Sequence, residues 1–218
     1  MIAENVAALL KELPAGVLLE AAVKMRSSEE ITQAISAGVK IIGENYIQEA
    51  EEHYKTVGGR AEWHLIGHLQ KNKAKKASEF FQMIETVDSV GTGQAIDRYC
   101  GRASKVMPVL IEVNSGREAQ KDGAMPENVE ALVRDLSGLK NMKVMGLMTM
   151  GPELANPEGL RPYFRETKAL FDRIAALTLP GVEMKHLSMG MTDSYKIAIE
   201  EGATIVRIGS KIFGPRKA

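Results

Sequence analysis

Eight short apolar runs alternate with longer helix-like stretches along nearly the whole chain, and this alternation restricts the fold more than any other feature. The strand candidates are Val17–Val23, Lys40–Gly43, Glu62–Ile66, Gln82–Val87, Val106–Val113, Met142–Met148, Glu183–Leu187 and Thr204–Ile208. Between them lie helical patterns over Ser28–Ala37, Tyr46–Thr56, Gln70–Glu79, Gly93–Ala103, Pro126–Leu136, Leu160–Ala176 and Asp193–Glu200. Strands joined by helices rather than hairpins form a parallel sheet with crossovers. Eight of them in 218 residues predict an α/β fold, a (β/α)8 TIM barrel near its lower size limit, with a doubly wound open sheet as the alternative. Ser27 or Ser28 followed by Glu30 reads as a helix cap, and Gly38, Gly138 and Gly202 stand where helices should stop. Ile2–Leu13 reads as an extra helix ahead of the first strand. No repeat, low-complexity tract or linker interrupts the pattern, so a single domain is expected over 1–218.

A barrel collects its chemistry at the C-terminal ends of the strands, with phosphate often held by the loops after the seventh and eighth. There the unusual residues fall. Lys24 closes the first strand, where an apolar segment rarely ends on an ammonium group. Asn45 follows the second, Ser188 follows the seventh, and Arg207, Gly209 and Ser210 close the eighth. Strand parity sends Ala22 and Lys24 into the barrel and Ala21 and Val23 toward the helices; on the last strand it sends Ile205 and Arg207 inward. Either charge alone is more often a solvated strand end than a site. Together with two loops rich in backbone donors and hydroxyls, they suggest an amine nucleophile beside a phosphate cradle. Lysine, cradle and a cation facing a pyridine ring suit pyridoxal phosphate (PLP), whose aldehyde forms a Schiff base with lysine. A phosphosugar aldolase would need the lysine and the cradle but not Arg207.

Composition closes off other classes. Lys plus Arg and Asp plus Glu both total 28, and zero net charge speaks against nucleic acid as a partner. No apolar run is long enough to span a bilayer, and the charged start does not read as a signal peptide, so no membrane is expected. One cysteine, Cys100, allows no internal disulfide and suits a reducing, cytoplasmic setting. His64 and His68 are four apart, yet no HExxH pattern accompanies them and no metal is expected. Lys71, Lys73, Lys75 and Lys76 read as a solvated helix face, and the twelve methionines mostly as packing.

The runs AAVK, IIGENYIQEA, EWHLIGHLQKNK, VLIEVN, QKDG, VMGLMTM, HLSMGMTDSYKIAI and TIVRIGSKIFGPR, in order from Val17 to Arg216, resemble the pyridoxal phosphate homeostasis protein family. The resemblance implies a barrel like the N-terminal domain of alanine racemase, with PLP bound covalently to Lys24. It implies Asn45 beside the cofactor, Ser188, Gly209 and Ser210 on its phosphate, and Arg207 facing the pyridine nitrogen. It further implies a carrier or buffer of the cofactor rather than an enzyme, with no catalytic residue. The expected partners are apo-enzymes that receive PLP, and the expected state is a monomer. The alternative is a PLP-dependent amino-acid racemase of related fold. That reaction needs a second base, expected from another domain for which the chain leaves no room; only Tyr46 and Tyr195 begin helices on the mouth side and could substitute. Two positions depart from the family pattern. Val23 stands where a hydroxyl residue is usual, with little expected effect because it points outward. Glu20 replaces a usual leucine at an inward position and needs a partner or a proton.

Overall fold

The computed structural model describes residues 1–215, so Arg216, where the family-like runs end, lies outside the described residues. Its eight strands are β1 (Leu18–Ala22), β2 (Ile41–Glu44), β3 (Glu62–Leu65), β4 (Met83–Val87), β5 (Met107–Glu112), β6 (Met142–Met148), β7 (Val182–Ser188) and β8 (Ile205–Ile208). They pair in sequence order, all parallel, and close into a barrel through β8 against β1. The open-sheet alternative is thereby excluded. Around them run α1 (Ile2–Glu12), α2 (Ser28–Ser36), α3 (Ile47–Val57), α4 (Ala74–Phe80), α5 (Val90–Arg102), α6 (Pro126–Leu136), α7 (Arg161–Ala175), α8 (Tyr195–Glu200) and α9 (Ser210–Phe213). None is long and apolar enough to cross a membrane.

Local chemistry sets the element ends. The Ser27 hydroxyl accepts from the Glu30 N–H at 3.3 Å while the Glu30 carboxylate accepts from the Ser27 N–H at 2.9 Å. This reciprocal cap starts α2 three residues after Lys24. Pro126 opens α6 at the position where its missing N–H is harmless. Gly38 and Gly202 take left-handed backbone after α2 and α8, whereas Gly138 does not. α5 begins at Val90, ahead of the expected Gly93, because Ser89 caps it by accepting from the Thr92 N–H. The expected Gln70–Glu79 helix is a 3-10 turn, Lys71–Lys73, followed by α4, and this divides the basic run.

The main core lies between strands and helices, where Ala21 and Val23 are fully buried as parity requires. Inside the barrel an apolar cluster of Met83, Leu110 and Met148 shares the space with buried Glu20, His64, Glu85, Ser188 and Arg207. Such a charged interior departs from the branched aliphatic layers usual in these barrels.

Candidate functional site

The C-terminal ends of β8, β1 and β2 open onto a pocket of about 440 Å³, a size typical of small-molecule sites. Lys24, Asn45, Arg207, Gly209 and Ser210 all line it, together with Ala22, Arg26, Met191, Thr192 and Asp193. Five residues from three separate stretches of sequence therefore meet at one mouth.

Lys24 is half-buried on a tight turn in which the Arg26 N–H donates to the Val23 carbonyl at 2.9 Å. Met25 holds that turn with φ 61, a left-handed conformation that costs a non-glycine residue about 1 kcal/mol. Among the described residues the Lys24 Nζ has no ion-pair or hydrogen-bond partner; it lies 5.3 Å from the centre of the Tyr46 ring.

Asn45 is held by sterics. A Cβ added at Gly67 would sit 2.1 Å from the Asn45 carbonyl oxygen, so only glycine lets the β3 loop pass this close. Gly67→Ala should force the two loops apart and destabilise the fold by about 2 kcal/mol, some 4–8 °C in Tm. Thermal unfolding of the variant checks this.

On the opposite wall the Ser210 hydroxyl donates to Thr192 Oγ1 at 3.1 Å, and the Lys211 N–H reaches the same oxygen at 3.4 Å. Thr192 thus bridges the loops after β7 and β8. Gly209 caps α9, whose first N–H groups have no acceptor within the helix. Thr192 was not singled out from the sequence, although it lies two residues past Gly190 in the LSMGMTDS run that was.

Ser188 differs from the expectation. It does not line the pocket; it is fully buried, and its hydroxyl accepts from Arg207 Nη1 at 2.6 Å. The Arg207 Nη2 donates to the Thr149 carbonyl at 2.8 Å. Ser188 ends β7 pointing inward, so it reaches the arginine from below rather than the mouth from the side. Arg26 was also missed. Its guanidinium donates to the carbonyls of Phe213, Gly214 and Pro215, strapping the segment after α9 to the turn that carries Lys24.

Of the two tyrosines, Tyr46 stands beside Lys24, but Tyr195 does not. The Tyr195 ring is buried, and its hydroxyl donates to Glu12 Oε1 on α1 at 2.9 Å.

Beneath the pocket lies the charged interior. Glu20 pairs in register with Arg207 across β1 and β8 and with Ile41 on β2, so the departure at this position leaves the register intact. Its carboxyl occupies space that a Cβ at Gly43 would fill, 2.7 Å from Oε1. Both oxygens lack a hydrogen bond, and the nearest cationic nitrogen, His64 Nδ1, is 3.5 Å from Oε1. Burial, reinforced by Glu85, pushes the Glu20 carboxyl up to about 8. Burial opposes the His64 imidazolium, but Glu62, Glu85 and Glu20 outweigh it and push it up to about 10. Glu85, 2.9 Å from His64 Nδ1, is held ionised by His64 and Arg207 despite complete burial.

A second cleft of about 480 Å³, lined by Lys40, Arg60 and Trp63 among others, lies at the N-terminal ends of β2–β4. That is the face where barrels do not place their chemistry. His68 sits on the mouth with Asp88 and Asp122 at 3.6 and 3.3 Å, a solvent-exposed ion-pair group.

The sequence model described as "Alanine racemase, N-terminal domain" matches residues 1–217. A "Pyridoxal phosphate homeostasis protein" of Aquifex aeolicus is 43% identical over 190 residues, 87% of this chain and 82% of the relative. The protein of that name from Pseudomonas aeruginosa is 35% identical, covering 99% and 96%. The structure of PipY from Synechococcus elongatus PCC7942 with PLP bound superposes with a TM-score of 0.90 at 31% identity, covering 98% of this chain and all of that one. Alanine racemase of Clostridium difficile 630 shares the fold at a TM-score of 0.82 with 15% identity, over 56% of its length.

Proposed function

Since this chain belongs to the pyridoxal phosphate homeostasis protein family, built on the alanine racemase N-terminal barrel, we propose that it binds PLP at the Lys24 pocket and acts in cofactor homeostasis. The observation that carries this reading is the unpaired Lys24 amine facing, across one pocket, the Thr192–Ser210 hydroxyl pair. The residues present fit the cofactor: a free amine for the aldehyde, hydroxyls and backbone donors for the phosphate, a fixed cation for the ring nitrogen. When bound, PLP supplies an electrophilic aldehyde to which the lysine amine can link covalently.

Each side chain then has a part. Lys24 anchors. Thr192 and Ser210 turn their hydroxyl protons from each other toward the phosphate, joined by backbone N–H groups around Gly209. Arg207 keeps its proton at any ordinary pH, so it can only donate; it holds a facing ring nitrogen as an acceptor. Ser188 and the Thr149 carbonyl aim it. Asn45 flanks the cofactor from the β2 side. The reading takes a monomer as the working unit and makes PLP-requiring apo-enzymes the recipients. It also assigns the protein no turnover with amino acids.

Equilibrium dialysis tests the division of labour. Lys24→Ala should lose the covalent link yet keep reversible affinity for PLP, because the phosphate donors sit on separate loops. Adding Thr192→Val and Ser210→Ala should weaken that residual binding by at least about a hundredfold, at roughly 1.5–3 kcal/mol per charge-assisted hydrogen bond. Unchanged binding in the triple variant would move the phosphate elsewhere.

A further inference from the structure

The interior beneath Arg207 holds more ionisable groups than packing needs. We propose that Glu20, with His64 and Glu85, is a positioning group for Arg207 whose charge state sets how firmly the mouth holds an anionic phosphoester cofactor. The proposal rests on PLP as the ligand but concerns residues that do not touch it.

The geometry forms a connected column. Glu62, exposed at the N-terminal end of β3, lies 3.8 Å from His64 Nε2. His64 Nδ1 faces Glu85 at 2.9 Å and Glu20 at 3.5 Å. Ser188 accepts from Arg207, whose charge helps hold Glu85 ionised, and Arg207 lines the pocket. Glu20 is the anomalous member: fully buried, both oxygens unpartnered, in register with Arg207, and lodged over Gly43 where no side chain could stand.

Charge counting gives the sign. With Glu20 protonated, His64⁺ and Arg207⁺ balance Glu85⁻ and Glu62⁻, and the column is neutral. Ionising Glu20 leaves it one negative charge. An anion at the mouth is therefore held more firmly below the Glu20 transition than above it, and the carboxyl's high position, about 8, places that transition between pH 7 and 9. One unit charge about 10 Å away at an effective dielectric constant near 20 changes affinity by about tenfold. The other titratable or charged groups facing this interior are His64 and Glu62 on β3, Glu85 on β4, Glu112 on β5, His186 on β7 and Arg207 on β8; Glu44 on β2 is instead paired with His53 on α3. Glu112, pushed up to about 7 by burial and by Asp122 and Asp88, titrates nearby. A comparison that changes Glu20 alone is therefore required.

The probe is 4′-deoxypyridoxine 5′-phosphate, which keeps the ring and phosphate but has no aldehyde, so Lys24 chemistry is absent. Its dissociation constant is measured by calorimetry at pH 7 and pH 9 for the unchanged protein, Glu20→Gln and Glu20→Leu, each checked for fold by circular dichroism. The unchanged protein should lose about five- to tenfold more affinity over this range than either variant. Carboxyl NMR of the apo-protein should show a glutamate titrating near pH 8 that disappears in Glu20→Gln. Equal pH dependence in all three proteins, or no glutamate titrating above pH 7, overturns the proposal while leaving PLP binding intact. Absence of probe and PLP binding at pH 7 would instead overturn the functional reading itself.

Discussion

Replacing Glu20 by leucine should stabilise the apo-protein by about 3–5 kcal/mol at pH 8 and above, the largest stability change expected of any single substitution here. The carboxyl is fully buried with no hydrogen-bond partner for either oxygen among the described residues, and leucine has nearly its volume without the need for solvation. Linkage gives the pH dependence. Glu20 moves from 4.5 unfolded to about 8 folded, so the folded state binds the proton more tightly and stability falls as pH rises through that window. At about 1.36 kcal/mol per pH unit across that window the loss is several kcal/mol, and it is complete above pH 8. His64 adds in the same direction: raised from 6.5 to about 10, it contributes stability that is whole below pH 6.5 and lost by pH 10. Urea unfolding of the unchanged protein should therefore show stability declining from pH 5 to pH 9. The leucine variant should decline less and gain about 6–20 °C in Tm at pH 8. An equal decline in both, or a less stable variant at pH 8, would mean that Glu20 is paired as an anion.

Incubation of the PLP-loaded protein with L-alanine or L-serine should yield negligible D-isomer. Racemisation needs one base on each face of the reacting carbon, because the proton leaves one side and returns on the other. Lys24 supplies one. Tyr195 is tied to Glu12 and lines no part of the pocket. Arg26 and Arg207 carry guanidinium groups, which donate hydrogen bonds and offer no basic lone pair. Asp193, exposed, is the carboxylate of the pocket lining, and Tyr46 stands beside Lys24, on its side. Exchange of the α-proton with solvent deuterium, with configuration retained, is the activity Lys24 alone permits. Robust D-isomer formation that disappears in Tyr46→Phe or Asp193→Asn would make the protein a racemase.

The barrel was legible because its period is coarse: eight apolar runs survive errors of a residue at either end, and each observed strand lies within one residue of its expected bounds. Parity then carried Lys24, Ala22 and Arg207 to the mouth, since inward and outward alternate rigidly along a strand. Loops obey no such alternation. Ser188 and Thr192 belong to one hydroxyl-bearing run, and nothing in their spacing says that the first ends a strand pointing under Arg207 while the second rides the loop above it. Arg26 was invisible for a related reason: its partners are backbone carbonyls of a segment 187–189 residues away. Tyr195 does begin a helix on the mouth side, yet the helix start fixes only its Cα; packing against α1 turned the hydroxyl away. Glu20 could be recognised as anomalous, but the column joining it to Arg207 depends on closure of β8 against β1.

The central claim is that Lys24 is the residue to which PLP becomes attached. Loading the protein with PLP, reducing with borohydride and mapping the modified peptide by mass spectrometry tests it directly, since the exposed Lys71, Lys75 and Lys76 offer competing amines on the same chain. One stoichiometric adduct on Lys24 is expected, lost in Lys24→Ala without transfer to another lysine. An adduct spread over the surface lysines, or undiminished in Lys24→Ala, would contradict it.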